Sequence, residues 1–294
     1  MSVTAEGLII KAISGAFYVQ TKDAILPCKA RGIFRKRGIA PVAGDHVRIE
    51  DDNIVEILPR KNELVRPKAA NIDLALMTVS TVQPEPNTFV LDKLLTVCEY
   101  KEIEPIIIMT KADLKDDESF ADIYRSAGFT VIMTGEGIHN ESQILDLMKD
   151  KVSIFIGNTG VGKSTLLNRL FPDLELRTAA ISNKLGRGRH TTRQVELYPL
   201  PGGGYVADSP GFSTVELEQY EPVRKEELQY CFREFAPFID DCKFVGCSHR
   251  KEKGCAVLAA LQEGKISPSR HESYVALYEE AMKIPDWQRE DNRK

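Results

Sequence analysis

Val152-Ser153-Ile154-Phe155-Ile156 runs directly into Gly157-Asn158-Thr159-Gly160-Val161-Gly162-Lys163-Ser164. An apolar strand followed by a glycine-rich turn and a Lys-Ser pair is typical of a loop that binds nucleotide phosphates. Apolar residues then recur with helical spacing at Leu166, Leu167 and Leu170. The N-terminus of this predicted helix would place the positive end of its dipole beside the phosphates. The stretch therefore predicts an α/β domain that binds a nucleoside triphosphate.

Each part of the predicted phosphate loop has its own contact with the nucleotide. Backbone N–H groups surround the phosphates, Lys163 reaches the β- and γ-phosphates, and the Ser164 hydroxyl binds Mg²⁺. A glycine-rich surface turn is the alternative, and the flanking strand and helix count against it. The predicted nucleotide-binding residues of this loop are Gly157, Asn158, Thr159, Gly160, Val161, Gly162, Lys163, Ser164 and Thr165.

Length and composition narrow the class of protein. A chain of 294 residues is long for one core and suggests two or three domains. Its sequence has neither an apolar run long enough for a membrane span nor the apolar core of a signal peptide in its first residues. We therefore expect a cytoplasmic protein without a membrane partner, whose 6 cysteines are thiols or metal ligands rather than disulfides.

The N-terminal part of the chain reads as short strands separated by turns. Five such strands in under sixty residues favour a small Greek-key barrel of the OB type, whose face and loops bind oligonucleotides. The predicted strands cover residues 7–13, 16–20, 24–30, 46–50 and 54–58.

A basic segment lies between the third and fourth predicted strands. It holds Arg31, Phe34, Arg35, Lys36 and Arg37. In one interpretation the cations contact an RNA backbone while the Phe34 ring stacks on a base. In the other, the segment is a solvated basic loop with Phe34 packed inside the barrel.

The next part of the chain, after a predicted linker at 59–71, alternates predicted strands and helices. Buried strands are predicted at 74–79, 106–109 and 131–133, with helices between them. Alternation of this kind predicts a parallel sheet with helices on both faces, which binds ligands at the carboxyl ends of its strands.

Thr110-Lys111-Ala112-Asp113 follows the second of these strands. A carboxylate at a strand end can accept hydrogen bonds from N1–H and the 2-amino group of guanine, and adenine lacks both donors in that arrangement. The lysine stem can lie along the base. Thr110, Lys111 and Asp113 are therefore predicted to bind the guanine of GTP, with a solvated turn as the alternative.

Two segments after the phosphate loop are candidates for Mg²⁺ and the γ-phosphate. The long polar segment 181–194 contains Thr191 and Thr192, whose hydroxyls are predicted Mg²⁺ ligands. A predicted strand at 205–207 ends in Asp208, a second candidate for the Mg²⁺ site, and the Gly211 N–H can face the γ-phosphate.

Position 212 is Phe, where a glutamine would orient the attacking water in a Ras-like scheme. His190 adjoins the predicted Mg²⁺-binding threonines, and a neutral imidazole can accept a hydrogen bond from water. His190 is therefore the predicted catalytic residue. A histidine that packs or contacts RNA phosphate is the alternative.

A cysteine and histidine cluster lies near the C-terminus. Cys242, Cys247, His249 and Cys255 offer three thiolates and one imidazole, which suit a closed tetrahedral zinc site without a catalytic vacancy. Unpaired thiols with a surface histidine are the alternative. The preceding residues Leu228, Cys231, Phe232 and Phe235 have the spacing of an amphipathic helix.

Taken together, these motifs resemble the phosphate, switch and guanine motifs of translation-factor-type GTPases, but the guanine motif precedes the phosphate loop. With the N-terminal barrel and the cysteine cluster, the chain resembles the RsgA family of circularly permuted GTPases over nearly its whole length. The chain differs from the usual pattern in having Thr110 in place of Asn, and Thr134-Gly135 in place of Ser-Ala. The residue that contacts the guanine carbonyl is therefore unassigned.

The resemblance implies a multidomain architecture and a function. We expect an OB-type RNA-binding barrel at 1–66, a circularly permuted P-loop GTPase domain at 67–220 and a mostly helical zinc-binding domain at 221–294. The implied activity is hydrolysis of GTP to GDP with Mg²⁺, stimulated by the small ribosomal subunit, in late maturation of that subunit. One structural zinc, contacts with ribosomal RNA and a monomeric state complete the expectation, and family resemblance also favours His190.

Two other functions fit the same residues. A P-loop ATPase with an unusual base site is one of them. The other is an RNA-binding scaffold that responds to GTP with negligible turnover.

Overall fold

The structure is a computed structural model. It describes residues 4–13, 15–65, 68–172, 195–208 and 223–283. Within these ranges no helix has the length and apolar character needed to cross a membrane.

The chain forms two compact units. The first comprises Met1–Thr78 and His139–Glu216, and the second comprises Val79–Ile138 and Leu217–Lys294. The division into three domains at residues 66 and 220 stays a prediction.

The N-terminal part of the first unit is a closed barrel. Strand β1 (Thr4–Ile13) pairs antiparallel with β2 (Ala16–Gln20) and β4 (His46–Glu50), and β2 pairs antiparallel with β3 (Ile25–Ala30). Strand β4 pairs antiparallel with β5 (Asn53–Ile57), and a parallel pairing of β3 with β5 closes the ring. Ile9, Val19, Val47 and Ile54 fill its core. The predicted five-stranded barrel is confirmed. The short helix α1 (Gly32–Lys36) lies between β3 and β4.

The basic segment forms helix α1 rather than an open loop. Phe34 is only 6% exposed and packs in the barrel core, so its ring is not available to stack on a base. The structure shows Phe34 packed inside the barrel, and the contact of the neighbouring cations with RNA stays a prediction. Arg35, Lys36 and Arg37 are exposed.

The predicted linker at 59–71 is wrong, because the described residues of this segment include two paired strands that are fixed to the barrel. It contains β6 (Glu63–Val65) paired antiparallel with β7 (Lys68–Ala70). The amide of Asn71 accepts from Lys61 N at 2.8 Å and donates to Gly44 O at 2.8 Å. The second of these hydrogen bonds is buried, joins residues that are 27 positions apart and holds the segment against the barrel.

The chain then alternates strands and helices, as predicted. The elements are β8 (Leu74–Ser80), α2 (Thr88–Tyr100), β9 (Glu104–Thr110), α3 (Glu118–Ser126), β10 (Thr130–Met133), α4 (Glu141–Met148), β11 (Val152–Ile156), α5 (Lys163–Leu170), β12 (Glu196–Pro199) and β13 (Tyr205–Asp208).

The first unit carries the sheet that ends in the phosphate loop. Strand β11 pairs in parallel with β8 on one side and with β13 on the other. Strand β12 pairs antiparallel with β13 and also with β1 of the barrel, where the Lys11 ammonium lies 2.5 Å from the Glu196 carboxylate. The barrel is therefore continuous with this sheet.

The second unit contains the parallel pair β9 and β10, together with α2 and α3. Helix α2 begins at Thr88. Asn87 is its N-cap, and the Asn87 side chain accepts a hydrogen bond from Val90 N at 3.0 Å. Its buried face includes Leu91, Leu94 and Cys98.

The C-terminal part of the second unit differs from the predicted amphipathic helix. Two short 3₁₀ turns, Leu228–Cys231 and Arg233–Phe235, replace it, because Phe232 between them has an extended backbone with φ −112° and ψ 95°. All four predicted apolar residues are nevertheless buried. Two helices follow, α6 (Ala256–Gln262) and α7 (Pro268–Met282), and Ser267 is the N-cap of α7.

Helix α7 is fastened to the second unit by a buried arginine. Arg270 donates to Asp92 Oδ1 of α2 at 2.7 Å and to the two carboxylate oxygens of Glu234 at 2.7 and 3.1 Å. The three side chains are at most 4% exposed. Its guanidinium also lies 4.5 Å from the Phe232 ring centre. Burial raises the pKa of the Asp92 carboxyl, although the Arg270 charge opposes this shift.

Arg270→Met should destabilise the second unit strongly, because two buried carboxylates would lose their cation. Removing one partner of a buried ion pair costs about 3–5 kcal/mol. Hydrogen exchange of the α2 and α7 amides measures this local loss. The matched control is Arg125→Met, since Arg125 pairs with Glu118 and Asp122 on an exposed surface, where a pair contributes about 1 kcal/mol or less. Equal hydrogen-exchange protection of these amides in the two variants would contradict a stabilising role for the buried ion pairs of Arg270.

Candidate functional site

The phosphate loop follows β11, whose five residues are all buried. A Cβ atom added at Gly157 would lie 2.8 Å from the carbonyl oxygen of Thr78 and 3.1 Å from Cγ2 of Val161. Gly160 and Gly162 have φ angles of +84° and +90°, in the left-handed region that glycine adopts most readily. Close contact at Gly157 and the left-handed backbone at the other two positions therefore explain why glycine occupies all three.

Helix α5 starts directly after this loop. Gly162 is its N-cap, and Leu166 N donates to Gly162 O at 2.9 Å. Leu166 and Leu170 are buried, whereas Ser164 and Thr165 in the first turn are exposed. The hydroxyls predicted to meet Mg²⁺ and phosphate thus lie on the accessible side of the helix start.

Of the predicted Mg²⁺ ligands, the structure describes Ser164 and the backbone of Asp208. In the parallel pairing of β11 with β13, Ile154 lies opposite Ala207, so Asp208 stands at the edge of the sheet where β11 enters the phosphate loop. The side chain of Asp208 lies outside what the structure describes. The same is true of the predicted residues His190, Thr191, Thr192 and Gly211.

The guanine motif lies at the carboxyl end of β9 in the second unit. Thr110 is buried, and its hydroxyl donates to Val79 O at 3.3 Å. Thr81, which is fully buried, donates its hydroxyl to Lys111 O at 2.7 Å and its N–H to Thr110 O at 3.0 Å. Sequence reasoning missed Thr81, which holds both carbonyls of the motif's first two residues.

Asp113 is exposed, and the turn after β10 orients its carboxylate. Glu136 N donates to Asp113 Oδ1 at 2.9 Å, and Ala112 N donates to Thr134 O at 3.0 Å. A Cβ atom at Gly135 would lie 2.3 Å from Asp113 Oδ1. Gly135, which follows a predicted strand, is the sequence feature that indicates this close approach.

The structure brings the predicted metal ligands of the C-terminal region together. The ligand atoms of Cys242, Cys247, His249 and Cys255 all lie within 4.8 Å of one another. His249 Nδ1 is 3.4 Å from Cys255 Sγ and 3.6 Å from Cys242 Sγ. Three sulfurs and one imidazole nitrogen in this arrangement match the donor set of a structural zinc site. The remaining cysteines, Cys28, Cys98 and Cys231, are buried thiols, as expected.

The protonation states of this cluster depend on a metal ion. Burial raises the pKa of Cys247, and it raises the pKa of Cys255 to about 12, so these sulfurs remain thiols at neutral pH without a cation. Burial lowers the pKa of His249, which keeps the imidazole neutral. A neutral imidazole is the form that binds metal, and a bound cation would displace the thiol protons.

The loop around this cluster presents cations and apolar side chains to solvent. Phe244 is 51% exposed and Val245 is fully exposed, with the Lys243 ammonium 5.6 Å from the Phe244 ring centre. Lys251 and Lys253 are also exposed. These side chains form a basic surface on the second unit.

Comparisons with known proteins agree with this geometry. Residues 6–56 match the RsgA N-terminal domain, and residues 57–218 match the RsgA GTPase domain. A relative from Bacillus cereus, named small ribosomal subunit biogenesis GTPase RsgA, is 45% identical over 290 residues, which cover 94% of this chain and 97% of the relative. A relative of the same name from Caldanaerobacter subterraneus is 42% identical over 287 residues, which cover 94% and 95% of the two chains.

Two solved structures resemble the whole chain. YloQ, described as a circularly permuted GTPase, is 37% identical with a TM-score of 0.78, and the match covers 96% of this chain and 97% of YloQ. YjeQ from Thermotoga maritima is 30% identical with a TM-score of 0.81, covering 96% and 100% of the two chains. By motif order, fold and sequence, the chain belongs to the RsgA family of circularly permuted GTPases.

Proposed function

We propose that this protein is a GTPase that acts in the biogenesis of the small ribosomal subunit, the function for which its relatives are named. It hydrolyses GTP to GDP and phosphate. The observation that carries the choice of nucleotide is the Asp113 carboxylate, which the Glu136 N–H holds at the end of a parallel strand. A fixed carboxylate there accepts hydrogen bonds from guanine and has no matching donors on adenine.

The phosphate loop and the residues predicted around it have separate roles in this reaction. Backbone N–H groups of the loop and the Lys163 ammonium bind the phosphates, and the start of α5 contributes its dipole. Ser164, Asp208 and one of Thr191 or Thr192 would hold Mg²⁺, which supplies charge neutralisation at the β- and γ-phosphates when bound. The Gly211 N–H would face the γ-phosphate.

The partner is the small ribosomal subunit, and we assign its RNA contacts to two basic surfaces. The first comprises Arg31, Arg35, Lys36 and Arg37 around α1. The second is formed by Lys243 and its neighbours on the C-terminal loop. Phe34 is left out of the first surface, because its ring is buried. Lysine and arginine supply the electrostatic part of such binding.

The cysteine cluster holds one zinc ion in a structural role. Its support is the donor set, three thiols and one neutral imidazole, all within 4.8 Å. We further propose that the protein works as a cytoplasmic monomer.

Asp113→Asn should weaken GTP binding and favour xanthosine triphosphate, whose 2-oxo group requires a donor rather than an acceptor. A hydrogen bond to a charged group contributes about 1.5–3 kcal/mol, so the preference should change by roughly tenfold or more. Equilibrium binding of both nucleotides, with Asp116→Asn as the control on the same segment, measures it. Unchanged GTP affinity would refute the role of Asp113.

Cys247→Ala should lose the zinc and unfold the C-terminal region locally, because zinc binding is coupled to folding of its site. Metal analysis of the purified protein and hydrogen exchange of residues 242–255 test this outcome. Cys28→Ala is the matched control, since Cys28 lies in the barrel. Wild-type protein without zinc, or a Cys247→Ala protein that keeps it, would exclude the site.

His190→Ala should keep GTP and small-subunit binding but lose most of the stimulated rate. With Phe212 where a water-orienting glutamine could stand, the isolated protein should turn over slowly, and a partner that completes a GTPase site gives about 10³–10⁵-fold stimulation. Even ~10³-fold corresponds to about 4 kcal/mol of barrier. Single-turnover hydrolysis with saturating small subunits measures the effect. A variant stimulated as strongly as wild type rules His190 out.

A further inference from the structure

His249, the predicted imidazole ligand, has an unusual backbone conformation. Its φ angle is +54°, in the left-handed region that non-glycine residues occupy uncommonly. The residue is also completely buried. A residue held in such a conformation persists only where its surroundings determine it, so the contacts around His249 indicate what holds the ligand in place.

The carboxylate of Glu252 binds the backbone on both sides of His249. Oε1 accepts from Ser248 N at 3.0 Å and from the Ser248 hydroxyl. Oε2 accepts from Arg250 N at 3.0 Å and from Lys251 N at 3.0 Å. Four donors of one tight loop thus meet a single side chain that is not itself a member of the metal-binding cluster.

The imidazole ring of His249 is oriented by a residue from another segment. Its Nε2 lies 2.7 Å from Oε1 of Gln229, in the first 3₁₀ turn of the C-terminal region. An amide oxygen only accepts hydrogen bonds, so Nε2 must carry the proton. Nδ1, which faces the sulfurs of Cys242 and Cys255, is then the nitrogen with a lone pair for a metal.

The carbonyl groups of the same loop are bound by helix α7. His271 Nε2 lies 2.8 Å from His249 O, and the Tyr274 hydroxyl donates to Ser248 O at 3.1 Å. Glu252 therefore binds the N–H groups of the loop, α7 binds its carbonyl groups, and Gln229 orients the His249 imidazole. These contacts are all made within the second unit.

We propose that Glu252 and Gln229 are positioning residues for the zinc site, which hold His249 so that Nδ1 is its metal-binding atom. The inference rests on the zinc site proposed above. Groups that orient a metal ligand in this way typically change metal affinity by 10–100-fold when they are removed. Glu252 and Gln229 should therefore set how tightly the protein keeps its zinc, although neither contacts the ion.

The test compares full-length Glu252→Gln and Gln229→Met proteins with wild type. Glu252→Gln retains the size of the side chain but replaces an acceptor oxygen with a donor, and Gln229→Met removes the acceptor for Nε2. Glu263→Gln is the control, because Glu263 pairs with Lys265 on the exposed surface of the same region. The zinc dissociation constant is measured by competition with a chromophoric chelator, and nitrogen-15 NMR of His249 identifies the metal-bound ring nitrogen.

Zinc should bind about 10–100-fold more weakly to Glu252→Gln and Gln229→Met, with the control unchanged. Wild-type NMR should show zinc on Nδ1 and a proton on Nε2. Zinc on Nε2, or wild-type affinity in Gln229→Met, would overturn the inference even if Glu252→Gln failed to fold. If the wild-type protein binds no zinc, the proposed metal site itself is wrong. If wild type binds zinc and neither substitution changes the zinc dissociation constant, only the positioning role is refuted.

Discussion

The burial of β11 between two parallel partners is the constraint on which the phosphate-binding part depends. A strand that is covered on every side must satisfy its backbone through its neighbours, and here β8 and β13 do so. Parallel pairing brings the carboxyl ends of these strands to one edge. Gly157 then meets the carbonyl of Thr78 so closely that a side chain does not fit, and Asp208 stands at the same edge.

Buried polar groups, more than apolar packing alone, define the second unit. The Arg270 guanidinium joins α7 to α2 and to the turn that carries Glu234. Helix α7 in turn binds the loop around His249 through His271 and Tyr274. Since buried charges and hydrogen bonds tolerate few geometries, this network connects α2 to the loop around His249 within one compact unit.

The guanine motif and the cysteine and histidine cluster are each supported by neighbouring residues that were not predicted to bind a ligand. Thr81 and the turn around Gly135 orient the guanine motif, and Glu252 with Gln229 surrounds the histidine of the cysteine cluster. Such residues supply backbone and ring orientation rather than ligand contacts. Thr81, the turn around Gly135 and Gln229 come from other segments of the chain than the motifs they support, which explains why spacing within a motif does not reveal them.

The sequence by itself determined the barrel, the order of strands and helices, the glycine-rich loop and the cluster of three cysteines and one histidine, because hydrophobic periodicity and short-range spacing encode them. Only the tertiary structure decided that Phe34 is buried, that β6 pairs with β7, and that Leu228–Phe235 makes 3₁₀ turns rather than a helix. These features depend on contacts between distant residues, such as Asn71 with Gly44. Local patterns carry no information about such partners, since burial and hydrogen bonding are settled when the segments pack.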